Sequence, residues 1–425
     1  MNFRKLLFIL NDKLKGGIVS NHLNDVKNHM EGKTNESDTH LKNLLQHAIT
    51  NVNKYEDIQS LDLQSYPVVD KSIIKNDLNS FKAKNYIDKK VVSMTTSGST
   101  GTPFTVFQDL NKKARNHADT IYFGKLAGYE IGNCLIYMKI WAKQKMSSSL
   151  MYQLQNMVPM DVLHLDDKQI RKLIDLMENH KQNYSFLGYV SALEQVVRFL
   201  EKNKKGSVNA NVKSVITMSE GLSLETKQKL QNIFNCEVVS RYSNLENGII
   251  AQELRDGKAR FLINTASYKV EILDLKTNEP LNNGKLGKIV VTDLFNYAMP
   301  MIRYDTGDLG AMEEENNKLY LSKVEGRKLD VLFDTKGNIV SSYIMYKNMW
   351  QYTEIDQYQL IQVSEKGFLF KINCPIEFKK EDQLIGEFIS YLGSDADFRV
   401  EYVNEIPLLD SGKRRKTVNL YRENI

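Results

Sequence analysis

Two spacings of apolar residues run through this chain, and they mark out its elements. From His40 onward, Leu41, Leu44, Leu45, Ala48, Ile49 and Val52 fall three and four apart, which predicts a helix with one buried face. Ile170, Leu173, Ile174 and Met177 predict a second amphipathic helix, and Leu193, Val196, Val197 and Leu200 a third. Apolar, β-branched runs predict strands over 91–95, 104–108, 212–218, 237–242 and 288–294. Residues 110–127 read as a helix, and "YPVVDKSIIKNDL" as a turn with a short helix. Residues 223–234 form a further predicted helix, with Ser223 at its N-cap and Glu225 in its first turn. The first forty residues are polar and show little period after Leu14.

The order strand, helix, strand predicts a parallel sheet, and ligands sit at the carboxyl ends of such sheets. The polar clusters "SEG" from Ser219 and "SNLENG" from Ser243 fall at those ends. After about residue 326 the texture changes. "YQLIQVS" and "GFLFKIN" read as paired strands around "EKG", followed by a helix over 379–392 and the strand "FRVEYV". The expected class is α/β, with a large N-terminal domain of mostly parallel sheet and flanking helices over 1–326. A small α+β domain over 327–425 completes it.

Composition changes this picture little. The chain has 425 residues, 42% hydrophobic and 26% charged, as expected of a globular protein with a sizeable core. Its 57 basic and 52 acidic residues make a mixed surface that does not argue for nucleic acid. Cys134, Cys236 and Cys374 are far apart and form no CxxC, against a disulfide framework or a cysteine zinc site. The patch from Leu6 to Leu10 is too short for a signal-peptide core, and no run of about 18 apolar residues occurs, so no transmembrane segment is expected. The expectation is a cytoplasmic protein. Whether it pairs as a homodimer is not readable from the sequence.

The chemistry starts at "TTSGSTGTP". Glycine permits the positive φ that turns successive amides inward around an anion, and hydroxyls add donors. Thr95, Thr96, Ser97, Gly98, Ser99, Thr100 and Gly101 can therefore cradle phosphate. The GK[ST] ending of a Walker loop is missing. "IRYDTGD" sets Arg303, Asp305 and Asp308 around a Gly turn, where a carboxylate can accept two hydroxyl bonds. "EGR" puts Arg327 at the expected domain boundary, and "LDSGKRRK" puts Lys413 after a Ser-Gly turn.

Taken in order, these motifs resemble the adenylate-forming superfamily, and most specifically its phenylacetate-CoA ligase-like branch with the capsular polysaccharide CapK-like proteins. "QHAITNVNKY", "YPVVDKSIIKNDL" and "FLGYVSALEQVVRFL" are similar to that branch, with Val190 where its "GYPS" segment has Pro. The resemblance covers about residue 40 to the end. It implies an ATP-dependent carboxylate ligase of AMP-forming type. Such an enzyme joins a carboxylic acid to AMP, releases pyrophosphate and then passes the acyl group to CoA. An amine or sugar acceptor in surface-polysaccharide synthesis is the alternative, and a nucleotide-binding pseudoenzyme a third reading.

The resemblance also implies roles. Residues 95–101 would hold the β- and γ-phosphates of ATP, and Glu246 would approach Mg²⁺. Ser219 and Glu220 would line the adenine pocket, with Tyr242 stacking on the base. Asp308 would bind ribose, Arg327 would follow the hinge glycine, and Lys413 would serve adenylation. Three departures stand out. Ser243 and Leu245 replace the Gly and Thr of the "YGxTE" motif, and Leu329 replaces the first Asp of "GRxDD". The last of these puts rotation of the small domain in question. Tyr137, Trp141, Phe186 and Tyr189 are candidates for an aromatic acyl pocket.

Overall fold

The structure is a computed structural model. It describes residues 3–96, 104–141, 149–327, 331–340, 343–352, 354–407 and 415–421. Three helices open it: α1 (Phe3–Leu14), α2 (Ile18–Met30) and α3 (Ser37–Asn51). Helices α1 and α2 occupy the stretch in which the sequence shows little period. The reason lies in their surroundings. Phe3, Leu6, Leu7, Leu10 and Leu14 stay exposed, and α2 buries only Val26 and Met30. The chain reverses between them because buried Asp12 accepts from the amides of Val19 and Ser20, satisfying the first turn of α2.

Next come α4 (Lys71–Asn76), β1 (Val91–Thr96), β2 (Phe104–Asp109) and α5 (Leu110–Leu126). Strands β1 and β2 pair antiparallel, ending at Thr96 opposite Phe104. Asp109 caps α5 by accepting from the Lys112 amide.

The central sheet has eleven strands. Its first half is β3 (Cys134–Lys139), β4 (Met157–Asp161), β5 (Asn183–Tyr189), β6 (Asn211–Met218) and β7 (Val238–Asn244). These run parallel in the order β4-β3-β5-β6-β7. The connections carry α6 (Ser149–Gln155), α7 (Asp167–Asn179), α8 (Val190–Lys202) and α9 (Leu224–Phe234). The predicted apolar stripes of α7 and α8 pack on Ile136, Phe186 and Val215.

The second half is β8 (Gly248–Glu253), β9 (Phe261–Ile263), β10 (Tyr268–Leu273), β11 (Gly287–Asp293), β12 (Tyr304–Glu315) and β13 (Lys318–Arg327). It is antiparallel throughout, in the order β7-β8-β9-β13-β12-β11-β10. The mostly parallel sheet expected from the sequence thus holds as far as β7. A parallel crossover needs a dozen residues or more. Only Leu245, Glu246 and Asn247 separate β7 from β8, so the chain must turn back.

The remaining elements are β14 (Leu332–Phe333), β15 (Ile339–Val340), α10 (Tyr343–Asn348), β16 (Gln357–Gln362), β17 (Gly367–Asn373), α11 (Glu381–Leu392), β18 (Asp397–Tyr402) and β19 (Thr417–Asn419). Their four-stranded sheet has the order β18-β17-β16-β19. Leu360, Phe368, Phe370, Leu384 and Phe388 form its own core. Among the described residues no helix is long and apolar enough to cross a membrane.

Helix α5 is fastened by charge. Lys112 Nζ lies 2.8 Å from Asp293 Oδ2, and both side chains are fully buried. Arg115, equally buried, donates to Ser267 Oγ and the Ala266 carbonyl and pairs with Asp25 of α2. Removing one member of such a pair strands the other in a low-dielectric interior. Asp293→Ala is expected to cost about 3–5 kcal/mol, read as a lowered urea midpoint.

The helices α2 and α3 are held in part by half-buried histidines. His22, His29, His40 and His47 all have pKa values lowered from 6.5, with burial as the largest cause. The unfolded chain therefore binds protons more readily than the folded one. Stability is full above the unfolded value of 6.5 and falls as pH drops below it. Thermal unfolding between about pH 7 and pH 5 should show a melting temperature that declines with pH.

Candidate functional site

Several of the predicted site residues that are described gather toward the carboxyl edge of the parallel strands. Strand β6 ends at Met218, and the chain then kinks at Ser219, whose φ is +73°. Glu220 follows. Its carboxylate accepts from the Ser191 amide at 2.7 Å and the Ser191 hydroxyl at 3.2 Å, so its side chain serves the N-terminus of α8. The Glu220 side chain is therefore engaged by the start of α8.

On β7 the Tyr242 hydroxyl donates to Asp308 Oδ2 at 2.8 Å, with Thr306 Oγ1 3.2 Å away. Burial, and next the Asp308 charge, push the Tyr242 pKa well above its ordinary value, so the phenol remains a donor. The ladder slips one residue between Tyr242 and Ser243, which re-aims the strand as it leaves the sheet. Asp308 is positioned by the turn before it. Gly307 has φ +80°, a conformation that favours glycine, and its amide donates to Asp305 Oδ1 at 2.9 Å. Directly across the ladder from Asp308 stands Arg327. Two residues singled out nineteen positions apart are thus adjacent in the backbone.

Glu246 lies in the β7–β8 turn at 2% exposure. Lys71 Nζ of α4 is 2.6 Å from its Oε1, and the Tyr304 hydroxyl donates to the same oxygen at 3.1 Å. Its backbone carbonyl accepts from Gln108 Nε2 of β2 at 2.8 Å. Tyr304 also stacks on Phe104, the residue that opens β2, with centroids 6.5 Å apart and planes within 6°. The base of the Ser/Thr/Gly loop, Glu246 and the "RYDTGD" segment therefore meet at one point. The segment "PVVDK" closes the group, because Val69 exchanges backbone bonds with Arg303 and Asp305.

Other expectations come out differently. Arg303 turns away from Asp305 and Asp308 to pair with Glu271 at 3.1 Å and to donate to the Tyr66 carbonyl. Of the four aromatic candidates, Phe186 is fully buried and packs on Phe234, so it belongs to the core. Tyr137 and Trp141 meet edge to face at 5.4 Å at the end of β3. Thr95 Oγ1 bonds Thr105 Oγ1 across the hairpin, and Thr96 ends β1. Residues 97–101, Leu329 and Lys413 lie outside the described residues. Close by, Lys416 Nζ is 3.9 Å from Glu194 of α8. Lys71 and Tyr304 were not singled out by the sequence reading, because nothing local announces a lysine that pairs 175 positions away.

Known proteins resemble this chain in sequence and in fold. Residues 332–420 match the family model described as the CapK C-terminal domain. Protein CapK of Staphylococcus aureus is 21% identical over 388 residues, covering 88% of this chain and 81% of the relative. A phenylacetate-coenzyme A ligase of Pseudomonas putida is 29% identical over 119 residues, 28% of this chain and 27% of that one. Among solved structures, 2-hydroxyisobutyryl-CoA ligase in the postadenylation state superposes with a TM-score of 0.71 at 14% identity, covering 92% of this chain and 90% of that one. The chain accordingly has the fold of these CoA ligases, and its sequence is similar to protein CapK and, over a shorter stretch, to a phenylacetate-coenzyme A ligase.

Proposed function

We propose that this protein is an ATP-dependent carboxylate ligase that joins a carboxylic acid to AMP, releases pyrophosphate and hands the acyl group to CoA. One observation carries the reading: Tyr304 holds Glu246 by a hydrogen bond and the base of the Ser/Thr/Gly loop by stacking, four residues before Asp308. Motifs about two hundred residues apart thereby surround one space at the carboxyl edge of the sheet.

In this reading Asp308 accepts the ribose hydroxyls. A carboxylate offers about four acceptor positions, enough for Tyr242 and two hydroxyls together. By the resemblance, residues 95–101 would hold the β- and γ-phosphates and Lys413 would serve adenylation. Mg²⁺ fits this donor set. It keeps several waters and takes one or two carboxylates plus phosphates, and Glu246 is a buried carboxylate at that point. The ion would offset phosphate charge. Lys71 pairs with Glu246 and holds its carboxylate in place.

The chemistry explains the need for such a site. A carboxylate is a poor electrophile because oxide would have to leave. Attack of its oxygen on the α-phosphorus forms the acyl–phosphate bond and expels pyrophosphate. The acyl carbon then carries AMP as a good leaving group. CoA is the proposed acceptor. The resemblance to CapK-like proteins leaves an amine or sugar acceptor in surface-polysaccharide synthesis as a second reading. Pyrophosphate release from ATP and Mg²⁺ across a panel of acids tests the first half-reaction. Release that no acid stimulates, despite ATP binding, would remove the ligase reading, and CoA consumption decides the acceptor.

Two variants follow. Lys413→Ala should lower the rate of acyl-adenylate formation by about 10²–10³ while ATP still binds; unchanged adenylation would take Lys413 out of the chemistry. Asp308→Asn should weaken ATP binding about tenfold or more with an unchanged melting temperature. Normal ATP affinity in a calorimetric titration would refute the ribose assignment.

A further inference from the structure

Arg241 is a buried cation that the site described so far does not use. It stands on β7 one residue before Tyr242, at 8% exposure. Its Nε donates to Gln252 Oε1 at 2.9 Å, and Gln252 in turn donates to the Phe123 carbonyl. Its Nη2 is buried and has no hydrogen-bond partner among the described residues. No carboxylate pairs with it among the described residues; its titratable neighbour is the Tyr137 phenol. Burial raises the Tyr137 pKa, so that phenol is neutral at physiological pH. Burial pulls Arg241 down to about 10, which leaves it charged.

Three other buried cations each face a carboxylate. Lys112 faces Asp293, Arg115 faces Asp25, and Arg303 faces Glu271. A buried guanidinium without an anion is strongly unfavourable, and its fork matches a carboxylate with two parallel bonds. Location says where that anion comes from. Arg241 pairs with Met218 in the ladder, and Met218 with Tyr189, so it lies at the carboxyl edge. It stands on the last parallel strand, where the sheet turns antiparallel, the place where such sheets take ligands. Two residues back on the same face, Val239 packs with Ala127, Ile216 and Leu187, which makes the surroundings apolar.

We propose that Arg241 holds a second carboxylate on the acid substrate, so that the protein activates a dicarboxylic acid. This rests on the ligase reading. One carboxylate supplies the oxygen whose lone pair forms the bond to the α-phosphorus of ATP. The bond from that phosphorus to the bridging oxygen breaks, and pyrophosphate leaves with the electron pair. The other carboxylate stays ionised and pairs with Arg241.

The test compares succinate and glutarate with their monomethyl esters, as pyrophosphate release with ATP and Mg²⁺. Wild-type kcat/KM should favour the diacids by about 30-fold or more, the size expected for a buried charge pair. Arg241→Met should abolish that preference and leave the monoester rate alone. Its melting temperature should hold or rise, because an uncompensated buried charge is gone. A wild type that favours the monoesters, or a variant that loses both classes equally, overturns the proposal. Calorimetric titration of the same acids separates the two readings. Diacid binding that needs Arg241, without pyrophosphate release, keeps the anion site and removes the ligase. No binding and no release with any acid overturns the anion site. Should Arg241→Met fail to fold, Arg241→Lys keeps the charge and loses the fork. A raised KM for the diacid with kcat spared then supports the assignment, and an unchanged KM refutes it.

Discussion

A carboxylate sealed at 2% exposure has to be met by partners, and the arrangement around Glu246 follows from that requirement. Lys71 answers its charge, the Tyr304 hydroxyl answers a lone pair, and Gln108 fixes the backbone behind it. Each partner brings a different segment with it: α4, the strand that carries Asp308, and the hairpin that carries the Ser/Thr/Gly loop. The site is therefore assembled by satisfying one buried charge rather than by the regular packing of the sheet.

The same logic runs through the rest of the interior. Helix α5 could bury a lysine and an arginine because β11 and α2 supply Asp293 and Asp25. Arg303, with its positive φ of +48°, is held by Glu271 and the Tyr66 carbonyl. These contacts join the antiparallel half of the sheet to the helices around it. Against that background Arg241, with no carboxylate partner among the described residues, stands out from the charge pattern, which is why a substrate carboxylate is proposed for it.

The fold was legible wherever burial imposes a period. Helices α7 and α8 stand where their apolar stripes predict, and Ser223 caps α9 by accepting from the Thr226 amide. Strands β6 and β7 pair parallel across that helix, and β16 pairs with β17 around the "EKG" turn. The signal failed at α1 and α2, where exposed apolar residues and a few buried ones leave no clean stripe. It failed again past β7, because the direction of a strand depends on the length of the link and on the next partner, not on its own alternation.

For the site, glycine turns and strand-end polar clusters have local signatures, which pick out Asp308 and the clusters from Ser219 and Ser243, while the expected roles of Glu246, Tyr242 and Arg327 rest on the resemblance of the motif order. The sequence by itself also determined the predicted strands, the stripes of α7 and α8 and the separate texture after about residue 326. Only the tertiary structure decided that Lys71 faces Glu246, that Arg303 turns to Glu271 and that Arg241 is buried without a carboxylate among the described residues. The reason is physical: period and turn chemistry act over a few residues, whereas the pairing of a buried charge is settled by whichever distant segment the fold brings within about 3 Å.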